Sequence, residues 1–297
     1  MKKWLSAFRL KTLPLAFSSI FMGAAISYDQ QYFNWNILLL SIVTATFLQI
    51  LSNLANDYGD ALSGVDDENR LGPTRAIQSG EVSIKEMKIA VILFSLLSLL
   101  SGITLLVVSF SKISGLFVLF LIVGLLAIAA AIKYTVGKNA YGYSGLGDIA
   151  VFIFFGIVGV IGSSYLFNPT VLFINILPAI SIGVFAVGVL NLNNLRDIEN
   201  DAIHGKNTVV VKFGKSWGKN YHYLLIIVGW VMFIWFLIYS SSELINYLPL
   251  VLLPVFIANL NAVKRHNDPK ELIDKLKQLA LGTFGFAMLY FISVLVS

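Results

Sequence analysis

The 297-residue sequence has no cysteine, only three histidines and seven prolines, and few charges: 12% of its residues are Asp, Glu, Lys or Arg, against 57% that are hydrophobic. Without cysteine there are no disulfides, thiolate metal sites or thiol nucleophiles. His204, His222 and His266 are placed in loops at no ligand spacing, so zinc and haem centres are not expected. So little charge, with a mean hydropathy of +0.81, excludes an ordinary soluble globular chain. The net charge of +5 has a topological explanation given below, so no nucleic-acid partner is expected.

Apolar runs are what the sequence has in abundance. Nine of them, at approximately 12–28, 36–56, 88–109, 113–132, 148–166, 171–193, 221–240, 246–262 and 277–296, are long enough for helices that cross a bilayer, which need about 20 residues each. The expected fold is therefore an all-α polytopic membrane bundle of about nine helices, with residues 1–297 read as one intramembrane domain in contact with membrane lipid. Under this scheme 20 of the 21 basic residues fall on the side of the N-terminus, leaving only Lys112 on the other. By the positive-inside rule the N-terminus is cytoplasmic and the C-terminus outside. An error in the number of helices would scramble this partition.

The same scheme puts 14 of the 16 carboxylates on the cytoplasmic side, Asp29 and Glu243 being the exceptions. Two clusters stand out, each following an even-numbered run: NLANDYGD (53–60) and NNLRDIEND (193–201). Asn53 and Asp57 are four residues apart, Asp57 and Asp60 three, Asn193 and Asp197 four, and Asp197 and Asp201 four. If each helix continues past its apolar run, these side chains share one face with Cβ atoms about 5–6 Å apart. A single charge at the bilayer centre costs about 2.5–3.5 kcal/mol even on the lenient insertion scale, so the four aspartates belong at helix ends or in a wet cavity. Acids in loops often do no more than cap and solvate, which is the reading for Asp67, Glu68, Glu81, Glu86 and the 268–275 group. The spaced pairs fit another chemistry. Hard oxygen ligands presented twice suit Mg2+, which binds through one or two carboxylates together with substrate phosphates. Two such walls would hold a diphosphate, with Arg75, Arg196 and Lys206 neutralising the charge left uncovered.

These motifs resemble the two aspartate-rich motifs of the UbiA-type superfamily of intramembrane aromatic prenyltransferases. The flanking GPTRAIQSG (72–80), YTVGKNAYGYSGLGD (134–148) and GKNTVVVKFG (205–214) are similar to its 1,4-dihydroxy-2-naphthoate branch, which acts in menaquinone synthesis. In the hydroxybenzoate branch a further aspartate stands eight residues after the Asn of the first motif. Counted from Asn56, that position here is Gly64, and Asp66 lies two residues beyond.

The resemblance implies electrophilic aromatic substitution, with a polyprenyl diphosphate and 1,4-dihydroxy-2-naphthoate as substrates and Mg2+ as cofactor. Asp57, Asp60, Asp197 and Asp201 are the implied metal and catalytic residues. Asn53, Asn56, Arg75, Asn193, Arg196 and Lys206 are the implied substrate-binding residues of the same walls. Candidates for the acceptor site lie in the 133–148 loop: Lys133 for the carboxylate, Tyr134, Tyr141 or Tyr143 for hydrogen bonding, and Asp148 as orienter or base. Each has a plainer alternative: a positive-inside anchor for Lys133, interfacial aromatics for the tyrosines, and helix-dipole compensation for Asp148. Small residues in the apolar runs, including Gly23 to Ala25 and Gly156 to Gly162, are expected to allow close helix packing. The implied location is a bacterial cytoplasmic membrane with the site facing the cytoplasm, and no obligate protein partner is evident. Two alternatives stay open: a prenyltransferase for another acceptor (4-hydroxybenzoate, homogentisate or haem), and, more remotely, an ion-coupled transporter. The transporter would need charges within broken helices, whereas here the acids follow uninterrupted runs. Asp57→Ala or Asp197→Ala is expected to abolish turnover while the protein stays inserted and folded, and Asp67→Ala to matter little, as assayed on purified variants.

Overall fold

Inside lipid every backbone N–H and C=O has to be satisfied within the chain, so apolar runs of this length fold as helices. The computed structural model describes residues 2–65, 71–168, 172–240, 243–266 and 268–297, and among these there is helix but no strand. Asp66, Asp67, Glu68 and Arg70 of the sequence reading lie outside the described residues. Nine helices among the described residues are long and apolar enough to cross a membrane: α1 (Lys3–Asp29), α2 (Trp35–Ser63), α3 (Ile84–Ser109), α4 (Gly115–Lys133), α5 (Gly147–Phe167), α6 (Phe173–Arg196), α7 (Lys215–Ser240), α8 (Leu244–Arg265) and α9 (Pro269–Val296). With hydropathy at this level, the chain is an integral membrane protein.

The expected number of segments matches, and the differences lie mostly at one end of the bundle. There α2 runs to Ser63 instead of 56, α3 starts at Ile84 instead of 88, α7 at Lys215 instead of 221, and α9 at Pro269 instead of 277. Hydropathy sees only the apolar part of a helix, while these extensions are polar turns that continue the same backbone ladder. The first aspartate motif therefore stands on a continuous helix. The second does not: α6 stops at Arg196, and Asp197 joins it to a short helix, Ile198–Ile203. The backbone bond from Asp201 N–H to Asp197 O, at 2.8 Å, still keeps the two aspartates one turn apart.

Packing places α6 at the centre, flanked by α5, α7 and α9, with α1 against α9 and α5. This side holds the main apolar core, with Phe185, Trp230, Phe256 and Phe286 in mutual ring contact. On the other side α2 packs along α3, both touch α4, and Leu51, Leu54, Met87 and Val91 form a second core. Helix α4 has no fully buried residue and is the most lipid-like of the nine. Because α7 begins early, His222 sits inside the bundle and not in a loop. It is fully buried and bonds Asn259 of α8 at 3.0 Å, and Asn259 in turn donates to Lys275 O of α9 at 2.8 Å. Three helix ends are thus joined by polar groups that lipid could not satisfy.

Two glycines show how closely elements approach. A Cβ on Gly59 would lie 2.5 Å from the Thr135 side chain, and one on Gly156 would lie 2.7 Å from Ala179 O. The first contact seats the segment after α4 directly on the motif helix, and Thr135 Oγ1 donates to Ala55 O at 3.0 Å in the same place. Gly64, at φ 74°, is the left-handed residue that ends α2, a conformation glycine adopts without strain.

Candidate functional site

The extended end of α2 presents Asn53, Asp57 and Asp60 on one face, and both aspartates are buried to about 1% exposure. Charged groups this deep require counter-charges and hydrogen bonds. Arg75 supplies them from the segment after α2: its Nη1 lies 2.7 Å from Asp60 Oδ2 and 3.2 Å from Asp57 Oδ1. Arg9 also pairs with Asp57. Asp60 accepts a second bond from the Tyr143 hydroxyl at 2.5 Å.

The second motif repeats the arrangement. Arg196 bonds Asp197 through Nε at 2.8 Å and Nη2 at 2.5 Å, and Nη2 also donates to Asn193 Oδ1 at 2.8 Å. Lys206 lies 3.5 Å from Asp201 and 5.5 Å from the centre of the Tyr143 ring. Tyr143 therefore sits between the motifs, bonded to an aspartate of one and under a lysine of the other. The backbone bond from Asn207 N–H to Tyr143 O at 2.9 Å, and that from Lys212 Nζ to Ser144 O at 2.8 Å, hold this loop to the second motif. Burial, followed by the charge of Asp60, raises the Tyr143 hydroxyl above its ordinary range, so it remains a donor. Burial pushes the Asp201 carboxyl up to about 6; Lys206 opposes the rise, and the charges of Asp197 and Asp60 add to it.

Between the motifs opens a cavity of about 980 Å³. Its polar end is lined by Asn53, Asn56, Asp57, Asp60, Arg75, Asn193, Arg196 and Lys206, together with Tyr134 and Tyr141. Asp197, Asp201, Tyr143, Lys133 and Asp148 are not among the lining residues. Lys133 is exposed. Asp148 is buried beside the cavity wall, where it accepts from Tyr221. Tyr141 donates to Ala130 O at 2.8 Å, and Tyr134 packs edge-on against its ring. Asn53 donates to Phe8 O and to Thr12 Oγ1, both at 3.0 Å, so it anchors the start of the chain to α2.

Arg9 is the residue that sequence reasoning missed. It has a left-handed backbone (φ 47°, ψ 52°) between a short helix, Lys2–Phe8, and the apolar part of α1, which turns its guanidinium to Asp57. Its only signal in the sequence is a positive charge ahead of the first apolar run, which any topology anchor also carries.

The chemistry of the donor set is compatible with a magnesium site. Asp57 Oδ2 and Asp201 Oδ2 are buried without a hydrogen-bond partner, one from each motif. Among the described residues no three acidic or histidine side chains are grouped closely enough to hold a metal by themselves. A cation here would take one or two carboxylates and complete its shell with ligand oxygens, as Mg2+ commonly does.

Comparison with known proteins shows the family and the fold. Residues 16–281 match the model of the UbiA prenyltransferase family. The chain is 43% identical to 1,4-dihydroxy-2-naphthoate octaprenyltransferase of Escherichia coli (strain K12), over 99% of this chain and 95% of that one. It is 31% identical to the protein of the same name in Mycobacterium tuberculosis (strain ATCC 25618 / H37Rv), over 96% and 94%. Among solved structures, an apo UbiA homolog from Aeropyrum pernix K1 superposes with a TM-score of 0.69 at 16% identity, covering 97% of this chain and 98% of that one. A UbiA homolog from Archaeoglobus fulgidus bound to DMAPP and Mg2+ gives 0.65 at 17% identity, covering 99% and 100%.

Removing Arg75 takes away the cation paired with Asp60 and one of the two paired with Asp57. Arg75→Ala is expected to cost about 3–5 kcal/mol, seen as a lowered melting temperature in detergent. Adding Asp57→Asn and Asp60→Asn to that variant is expected to restore much of the loss, since the uncompensated charge is then gone.

Proposed function

The chain belongs to the UbiA prenyltransferase family, and from that premise we propose that it transfers a polyprenyl group from an allylic diphosphate to 1,4-dihydroxy-2-naphthoate, releasing CO2 and diphosphate. The observation that carries the reading is that Asp57 and Asp60 of the first motif and Asn193 and Arg196 of the second line one polar end of the same deep cavity. The acceptor follows from the names of the relatives, 43% identical over nearly the whole chain.

In this reading Arg75, Arg196 and Lys206 receive the diphosphate. Each already neutralises an aspartate of the site, and each can share its charge with phosphate oxygens as the bond from carbon to diphosphate breaks. Asp57, Asp60, Asp197 and Asp201 would hold Mg2+, which when bound supplies Lewis-acid stabilisation of the leaving diphosphate. The A. fulgidus homolog with DMAPP and Mg2+ supports the use of a divalent cation. Asn56 and Asn193, both on the cavity wall, offer amide contacts to the same oxygens. Tyr143 positions Asp60 and fixes its orientation.

The allylic carbon becomes electron-poor as diphosphate departs with the bonding pair. Below the aspartates the wall is mostly Leu, Ile, Ala, Val and Phe with scattered hydroxyls, a lining that disfavours the water that would quench a cation. A base that holds the phenolic proton raises the electron density of the ring; the ring carbon that bears the carboxylate forms the new C–C bond, the bond to the carboxylate breaks and its electron pair restores the aromatic ring as CO2 leaves, and the proton returns to the oxygen to give the quinol. Tyr134 and Tyr141 line the cavity near the mouth and suit the hydroxyls of the acceptor. Lys133 and Asp148 border this region and act on the acceptor carboxylate and proton only if substrate draws the 133–148 loop inward.

The reading is tested with purified protein, 1,4-dihydroxy-2-naphthoate and an allylic polyprenyl diphosphate, with Mg2+ and then with EDTA. The prenylated, decarboxylated naphthoquinol is expected with metal and not with chelator. Turnover of 4-hydroxybenzoate in preference to the naphthoate, in direct competition, would reject the proposed acceptor while keeping the diphosphate site.

The distribution of basic residues supports a bacterial cytoplasmic membrane with the site on the cytoplasmic side. A chain without cysteine makes this simple to check. In intact cells an impermeant maleimide is expected to label Lys112→Cys, and to label Lys138→Cys only after permeabilisation.

A further inference from the structure

The cavity does not stop at the aspartates. It continues between α1, α2, α3, α4 and α5 to Ser41, Leu105, Leu106 and Leu166, which lie near the opposite ends of those helices. Asp57 and Thr44, both on its wall, are thirteen residues apart on α2, a depth of about 20 Å at 1.5 Å per residue. At the far end stands a small apolar cluster, in which Leu105, Leu106 and Leu166 are packed by Phe120.

Glycines are used in two ways along this passage. Gly23, Gly156 and Gly159 are contact glycines, because a Cβ at each would fall within 2.7 Å of a neighbouring element. Gly102, Gly124 and Gly162 are different. A Cβ on Gly124 meets nothing within 4 Å, one on Gly102 only Thr44 at 3.9 Å, and one on Gly162 only Val158 and Phe120 at 3.8 and 3.9 Å. All three line the cavity. Helix interiors disfavour glycine by about 1 kcal/mol against alanine, and no helix contact requires these three, so what they preserve is open space. Asp57, buried with one oxygen unpartnered, marks the polar end of the same space.

We infer that Gly102, Gly124 and Gly162 are specificity residues for donor length, keeping a lumen open for the isoprenoid tail beyond the diphosphate site. The inference rests on the prenyl-transfer reading above and deepens it. Each isoprene unit adds four chain bonds of about 1.5 Å, or about 4–5 Å when extended. Thr44, facing Gly102, is about 20 Å from Asp57, and Gly124 is eleven residues along α4 from the level of Thr135, which touches the motif helix, or about 16 Å. Gly124 and Gly102 therefore meet the tail at about its fourth or fifth unit. Donors of one or two units end before reaching them.

The experiment compares kcat/KM for dimethylallyl, geranyl and octaprenyl diphosphates in the wild type, Gly124→Leu, Gly162→Leu and Gly115→Leu. Gly115 is a control on α4: a Cβ there meets nothing within 4 Å and it does not line the cavity. The ratio of octaprenyl to dimethylallyl kcat/KM is expected to fall at least tenfold in the two lumen variants and to stay unchanged in the control. Retained dimethylallyl turnover in the same sample reports a folded site, and Gly124→Val takes the place of any leucine variant that fails to insert. An unchanged ratio in active lumen variants, or an equal fall in Gly115→Leu, overturns the inference and leaves the prenyl-transfer reading intact. A wild type that turns over no donor overturns both.

Discussion

Four buried aspartates in a chain with so little charge impose the constraint on which the rest of the structure depends. None can be left uncompensated beside lipid, where an unpaired charge costs several kcal/mol. The protein meets this with cations from three separate places: Arg9 before the first apolar run, Arg75 after α2, and Arg196 and Lys206 around the second motif. The segments bearing these cations are thereby fixed to the ends of the helices. Tyr143 completes the set by joining Asp60 to the neighbourhood of Lys206. Much of the polar end of the bundle is organised around satisfying carboxylates.

Such a site has two uses for the same cations. Without substrate they neutralise aspartates; in the proposed function they are already positioned for the oxygens of a diphosphate, and the carboxylate oxygens they leave unpartnered are those a divalent cation suits. Preorganisation of this kind avoids rearranging charges while a leaving group departs. The apolar passage below supplies what the polar mouth does not, a dry path for a long hydrocarbon.

Legibility from sequence differed by feature. The number of helices was readable, because an apolar run of about 20 residues has few folded uses other than crossing a bilayer. The polar extensions of α2, α3, α7 and α9 were not, since continued helix carries no hydropathy signal once it leaves the apolar layer. His222 shows the consequence: read as a loop residue at the edge of the run expected from 221, it is buried well inside α7, which starts a turn and a half earlier. The one-turn spacing of the aspartates was readable, but the break that separates Asp197 from the end of α6 was not. Arg9 was not, because its role depends on a left-handed turn that aims it at a residue 48 positions away. Small residues were read uniformly as packing sites, and the structure divides them into contacts, such as Gly23 and Gly156, and open positions, such as Gly124.

The sequence by itself determined the membrane setting, the helix count and the residue types of the site, since hydropathy and short-range spacing are local properties. Tertiary structure decided which cation faces which aspartate, that Tyr143 stands between the motifs and Lys133 outside the cavity, and where glycine leaves space instead of contact. Those are distances between residues far apart in the chain, set by how helices pack and where their polar ends stop, and no single stretch of sequence encodes them.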